Sequence, residues 1–280
     1  MLGQELVRVF STDPQYDVFG WDTEAIDVTD FHAAREKIGA LSPDIVVNAV
    51  AYNAVDACEE DEQEYQRALL LNASVPEFLS AAVQENGSLF VHYSTDYVFG
   101  GNAPDGGGLG FDEANEPLPV CRYALSKREG EEKVVAIGGK YYIIRLSKLF
   151  GRPALSPGGK KSFFSVMLEA GKTKHEVQVV DDEKSCFTYA PDLAMASKSL
   201  IESGDAYGFY HLINEDFATW YEGVLELYAQ AGLQTKVSPV SSDAFPRPAK
   251  RPLFSVLRNT KRPLLRSYTD ALKDFLQEGQ

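Results

Sequence analysis

The chain has 280 residues, 44% of them hydrophobic, and a formal net charge of −14 from 27 Lys and Arg against 41 Asp and Glu. That length and apolar content suffice for a large buried core, while the acidity and the absence of any Lys- or Arg-rich run argue against nucleic acid or anionic membrane as a main partner. Three widely spaced cysteines (Cys58, Cys121, Cys186) and four histidines without ligand spacing give neither a disulfide framework nor a metal motif, no apolar stretch reaches membrane-spanning length, and a reducing cytoplasm is the expected compartment.

In chain order, Leu2, Leu6, Val9 and Phe10 recur at helical spacing and predict a helix over 2–11. A strand over 16–20 leads to Asp22, and a helix follows over 29–40. The apolar run at 44–50 predicts a second strand, and 61–86 a long helix interrupted at Pro76. A buried strand over 88–93 precedes a glycine-rich loop at 100–110, read either as a lid or as a plain surface loop. Beyond it come a helix over 122–137, a strand over 141–146, a helix over 161–171, a strand over 176–180, a helix over 189–203, a short strand over 208–212, and helices over 218–231 and 269–277. Strands alternating with amphipathic helices are the pattern of an α/β, doubly wound parallel sheet.

The chemistry is concentrated in two places. Leu89-Phe90-Val91-His92-Tyr93 runs into Ser94-Thr95-Asp96-Tyr97, a hydroxyl pair at the carboxyl end of a strand, where open α/β sheets bind ligands. Tyr123 and Lys127 stand four apart, so they share one helix face. An ammonium beside a phenol is expected to lower the phenol's pKa and ready it to protonate a carbonyl.

Ser94-Thr95-Asp96-Tyr97-Val98-Phe99, then Tyr123-x-x-x-Lys127 followed by Gly130-Glu131, resembles the extended short-chain dehydrogenase/reductases, and within them the dTDP-4-dehydrorhamnose reductases. Pro43-Asp44-Ile45-Val46-Val47-Asn48-Ala49-Val50-Ala51-Tyr52-Asn53-Ala54-Val55-Asp56, Gly208-Phe209-Tyr210-His211-Leu212 and Pro246-Arg247-Pro248-Ala249-Lys250-Arg251-Pro252 extend the resemblance over nearly the whole chain. It implies a Rossmann-like dinucleotide-binding core over 1–150 and a mixed substrate-binding lobe with late core elements over 151–280.

Met1-Leu2-Gly3 resembles the end of the family's glycine fingerprint, with Leu2 and Gly3 at the cofactor; on this reading the first strand and two glycines precede Met1. Asp22, ending the second strand, is expected to accept the ribose 2′-hydroxyl of NADH and to repel the 2′-phosphate of NADPH, whose use is left open; the competing reading is an Asp that caps a turn. By resemblance, Asp27 and Val28 flank the adenine, Ala51, Tyr52 and Asn53 line the ribose and nicotinamide, and Tyr93 sits beneath the nicotinamide.

The resemblance also implies a Thr95–Tyr123–Lys127 catalytic triad, with Lys127 additionally holding the nicotinamide ribose, and Thr95, Asp96 and Lys148 at the substrate. Lys148 stands where the family has a sugar-packing tryptophan, and Lys250 and Arg251 are candidates to meet a nucleotide diphosphate. Asp96 is followed by Tyr97 rather than Glu, which disfavours dehydration. The expected activity is therefore reduction of a nucleotide-linked 4-keto-sugar, foremost dTDP-4-dehydrorhamnose to dTDP-L-rhamnose. The alternative is a non-catalytic NAD(P)-binding regulatory subunit similar to the beta subunit of methionine adenosyltransferase. A homodimer is left open.

Overall fold

The structure, a computed structural model, describes residues 1–101, 109–154 and 159–278. Most of the glycine-rich loop, 102–108, lies outside the described residues. The first half of the chain folds into α1 (Leu2–Ser11), α2 (Phe31–Leu41), β1 (Ile45–Asn48), α3 (Ala57–Glu60), α4 (Glu62–Leu69), α5 (Val75–Gln84), β2 (Leu89–Thr95), α6 (Arg122–Ile137) and β3 (Tyr141–Leu146). The second half adds β4 (Leu149–Phe150), α7 (Phe163–Thr173), β5 (Glu176–Val180), β6 (Ser185–Cys186), β7 (Thr188–Tyr189), α8 (Ala190–Ser203), β8 (Gly208–His211), β9 (Phe217–Ala218), α9 (Trp220–Ala231), β10 (Lys236–Val240) and α10 (Tyr268–Glu278).

Helix starts are written in local chemistry. Asp30 accepts from Ala33 N at 3.0 Å to open α2, Asp61 accepts from Gln63 N at 2.7 Å to open α4, and Thr219 with Glu222 forms a reciprocal capping box on α9. Gly204 and Gly232 close α8 and α9 in the left-handed conformation, at φ +69° and +66°.

The central sheet is parallel with order β1-β2-β3-β8. Alternate side chains leave opposite faces of each strand. Val91 and Tyr93 of β2, Tyr142 and Ile144 of β3 and Tyr210 of β8 meet Leu2, Leu6, Val9 and Phe10 of α1 and Leu193, Ala194 and Leu200 of α8. Phe90 and Ile143 point the other way, into Ile38, Val75, Leu79, Val83 and Val134 from α2, α5 and α6. Both faces are thus covered by helices, as a parallel sheet requires. A second cluster, including Phe150, Phe164, Phe187, Tyr189, Leu227, Leu272 and Phe275, forms the core of the later lobe around the parallel pair β5–β10.

Two expectations are corrected. Residues 16–20 form no strand: Tyr16 and Val18 pack onto the α1–α8 cluster, but among the described residues no strand lies alongside to complete a hydrogen-bonded ladder. The long helix over 61–86 is broken, and not by Pro76, which sits in the first turn of α5 where its missing N–H costs nothing. The break is a π turn at Leu70–Ser74. It carries the fully buried Asn72, whose amide accepts from Tyr52 N at 2.8 Å and donates to Tyr52 O and Ser126 Oγ, each at 2.9 Å. Helix α6 approaches this turn so closely that a Cβ at Gly130 would lie 2.0 Å from Asn72 O.

Candidate active site

β2 ends at Thr95, which pairs in register with Leu146 of β3, so the hydroxyl stands at the carboxyl edge of the parallel sheet. Thr95 Oγ1 accepts from Tyr97 N at 3.2 Å and lies 3.2 Å from Asp96 Oδ1, to which it donates. Asp96 is buried and accepts from Ser147 Oγ at 2.8 Å and Ser255 Oγ at 2.6 Å. Burial pushes its carboxyl above the usual range, against the downward pull of those hydroxyls.

Helix α6 brings the other two members of the expected triad to the same edge. Its first turn is fixed by Arg122 N donating to Glu59 Oε1 at 2.5 Å. Tyr123 and Lys127 are both buried on the face it turns to β2. Lys127 Nζ donates to Tyr93 O at 2.6 Å, and burial, partly offset by Glu131, lowers its pKa to about 8. The edge of Tyr97 packs against the Tyr123 ring, with centroids 5.9 Å apart.

The expected lowering of the Tyr123 pKa is corrected. Burial is the dominant influence and pushes the phenol well above its ordinary value, with a hydrogen bond from Thr95 pulling the other way. In this structure the proton therefore stays on Tyr123 at neutral pH, which suits a donor.

On the cofactor side, Leu2 is buried against the sheet, and a Cβ at Gly3 would meet nothing within 4 Å. The first turn of α1 has no side-chain cap. Asp22 is exposed, and its carboxylate accepts from Glu24 N at 3.0 Å and Ala25 N at 3.3 Å, the turn-capping geometry. Asp27 is held in the same way by Thr29 N at 2.9 Å and Thr29 Oγ1 at 2.7 Å, while Val28 packs under α2 beside Trp21. Ala51 is exposed, and the Tyr52 hydroxyl donates to Glu64. Asn53 Oδ1 accepts from Lys160 Nζ at 3.3 Å. The Tyr93 ring lies in the α1–α8 cluster with its hydroxyl donating to Ser197 Oγ at 2.7 Å. The first turn of α1, which no side chain caps, the open space at Gly3 and the Lys127 ammonium beside Tyr93 O would meet a dinucleotide, the amides its pyrophosphate and the cation its ribose hydroxyls.

Lys148, with φ +35°, lines a cavity of about 470 Å³ together with Asn53, Phe163, Phe187 and Trp220. The triad side chains do not line this cavity; Lys148 follows Ser147, which holds Asp96. Arg251 donates to Asp56 Oδ2 at 2.7 Å, and Arg247 pairs with Glu183, so both guanidinium groups of the Pro-rich loop are engaged within the protein, while Lys250 is exposed. Sequence reasoning missed Asn72, Ser147, Ser255 and Trp220. Only the Asn72 break carried any local signal, the helix-interrupting neighbourhood that was assigned to Pro76.

The family described as RmlD substrate binding domain matches this chain over residues 1–280. A probable dTDP-4,6-dihydroxy-2-methyloxan-3-one 4-ketoreductase from Streptomyces antibioticus is 33% identical, over 98% of this chain and 90% of its own length. The crystal structure of a dTDP-4-dehydrorhamnose reductase from Clostridium acetobutylicum superimposes with a TM-score of 0.91 at 33% identity, covering 100% of this chain and 96% of that one. That of a dTDP-4-dehydrorhamnose reductase from Bacillus anthracis in complex with NADP gives a TM-score of 0.88 at 30% identity, covering 98% and 95%.

Proposed function

Since this chain belongs to the RmlD substrate-binding family that includes the dTDP-4-dehydrorhamnose reductases, we propose that it reduces a nucleotide-linked 4-keto-sugar, dTDP-4-dehydrorhamnose to dTDP-L-rhamnose, with a nicotinamide dinucleotide. The observation that carries this reading is the convergence of Thr95, Tyr123 and Lys127 at the carboxyl edge of β2. When bound, the nicotinamide supplies the hydride.

The residues supply the rest. Leu2 and Gly3 at the start of α1 hold the pyrophosphate, Asp22, Asp27 and Val28 the adenosine end, and Ala51, Tyr52, Asn53 and the main chain of Tyr93, whose ring is buried in the core, the nicotinamide end. Asn72 fixes the backbone of Tyr52 from both sides, which orients that wall. On substrate binding the one Thr95 hydroxyl proton would turn from Asp96 to the sugar carbonyl oxygen, and Tyr123 gives that oxygen its proton, leaving the alcohol. The Lys127 ammonium favours the tyrosinate left behind and binds ribose hydroxyls. Asp96, held by two serine hydroxyls, keeps Thr95 in place at the sheet edge before the substrate binds. Relatives named as reductases favour this reading over a regulatory subunit.

The test is NAD(P)H oxidation on adding enzymatically prepared dTDP-4-dehydrorhamnose, followed by identification of dTDP-L-rhamnose; a bound dinucleotide that no 4-keto-sugar nucleotide oxidises would overturn the proposal. On the finer question of cofactor, we propose a preference for NADH. Asp22 has no cationic side chain bonded to it among the described residues and is exposed to whatever substituent the ribose carries. Turnover with NADH should exceed that with NADPH by about tenfold, and Asp22→Ala should narrow the gap by removing repulsion of the 2′-phosphate. Equal use of the two by the unmutated protein would mark Asp22 as a turn residue only.

A further inference from the structure

Lys148 is an unusual neighbour for a sugar site. Its backbone sits at φ +35°, a left-handed conformation that costs a non-glycine residue energy and persists where surrounding structure over-determines it. Its ammonium is held over two aromatic rings, 4.0 Å from the centroid of Trp220 and 4.8 Å from that of Phe187. Its hydrogen bonds are long, 3.3 Å to Glu183 O and 3.4 Å to Ala218 O, and among the described residues it forms no salt bridge. Burial, partly offset by Asp96 and Glu183, lowers its pKa to about 7, and in its protonated form, with only two weak carbonyl partners, it retains donor capacity for another oxygen.

The wall behind it is rigid. Trp220 opens α9, donates from Nε1 to Glu183 Oε2 at 3.2 Å, and packs on Phe163 at 4.3 Å between centroids; Glu183 is in turn paired with Arg247. Lys148, Trp220, Phe163 and Asn53 face one cavity of about 470 Å³, within the range of small-ligand sites. An ammonium seated over the indole, with Trp220 and Phe163 lining the same cavity, suits a ring with an apolar face and an oxygen substituent at its edge.

We propose that Lys148 is a specificity-determining residue that donates a hydrogen bond to a ring hydroxyl of the sugar, beside the part of Trp220 that lines the cavity, so that this enzyme selects 4-keto-sugars oxygenated at C2 or C3 over their deoxy counterparts. The inference rests on the keto-sugar reductase reading and names the feature of the substrate that the site reads. Relatives of the same family include a ketoreductase whose named substrate lacks one of those hydroxyls, so the distinction separates real substrates.

The experiment compares kcat/KM for dTDP-4-dehydrorhamnose with its 2-deoxy and 3-deoxy analogues. A hydrogen bond to a charged donor contributes roughly 1.5–3 kcal/mol, about 10- to 100-fold, so one analogue should fall by that factor, and which one identifies the hydroxyl. In Lys148→Met the hydroxylated sugar should lose that factor and the disfavoured analogue should not, whereas Lys148→Arg should restore part of the discrimination. A merely structural lysine would instead depress all three substrates together. If the unmutated protein treats all three alike, or Lys148→Met leaves their ratios unchanged, the inference is wrong while the reductase reading stands. If none is reduced although dinucleotide binds, both fall. Should Lys148→Met not fold, the analogue ratios of the unmutated protein and of Lys148→Arg still decide.

Discussion

Tyr123→Phe should lower turnover of the 4-keto-sugar by roughly 10²- to 10⁴-fold, the usual worth of a positioned general acid, while nucleotide-sugar binding stays nearly unchanged. Only the phenolic oxygen and its proton are removed. The ring stays packed against Tyr97 and buried at the start of α6, so the fold has little reason to respond. Because burial holds the phenol well above its ordinary pKa, the proton is present throughout the physiological range, and the unmutated enzyme should show no loss of activity from ionisation of Tyr123 near neutral pH. Single-turnover rates and equilibrium binding of the sugar nucleotide, measured on both proteins, separate the two effects. A tenfold weaker binding with unaltered chemistry would assign Tyr123 to substrate holding.

The second large effect is on stability. Arg145 and Glu131 are each 2% exposed and form a two-pronged pair, Nε to Oε1 at 2.9 Å and Nη2 to Oε2 at 2.7 Å, with the guanidinium between the rings of Phe99 and Phe209. Glu131→Ala leaves that guanidinium buried and uncompensated, and breaking such a pair costs about 3–5 kcal/mol. The midpoint of urea unfolding should fall accordingly with little change in slope. Glu131 also lies one turn beyond Lys127 and raises its pKa, so its loss should lower the Lys127 pKa further and move the alkaline limb of the activity profile to lower pH. A loss below about 1 kcal/mol would mean that water or another group solvates Arg145 once the carboxylate is gone.

Much of the fold was legible where a segment carries its own signal. The helix expected over 122–137, with Tyr123 and Lys127 on one face, is α6, and the apolar run over 88–93 is β2, buried in a sheet covered on both faces. What was not legible depends on partners distant in sequence. Residues 16–20 have strand composition, yet a strand exists only if another lies beside it, which no local pattern reports. The two-residue strands β4, β6, β7 and β9 are too short for any periodicity.

The same division holds for the site. Thr95, Tyr123 and Lys127 sit in recognisable motifs. The net shift of the Tyr123 pKa runs opposite to the expected lowering because helical spacing reports proximity but not burial, and burial governs this phenol. Lys148 and Trp220 are 72 positions apart, and their contact is set by how α9 packs within the later lobe, beside β5, β9 and β10.

If this protein reduces a nucleotide-linked 4-keto-sugar, the hydride arrives at the sugar's carbonyl carbon. The most direct measurement uses NADH deuterated at nicotinamide C4, one face at a time, with dTDP-4-dehydrorhamnose, and locates the label in the product by mass spectrometry and NMR. The account predicts dTDP-L-rhamnose carrying one deuterium at sugar C4, delivered from a single face of the nicotinamide, and loss of nearly all of that product in Tyr123→Phe. Product without deuterium at C4 from both labelled cofactors, or the same yield from Tyr123→Phe, would contradict it.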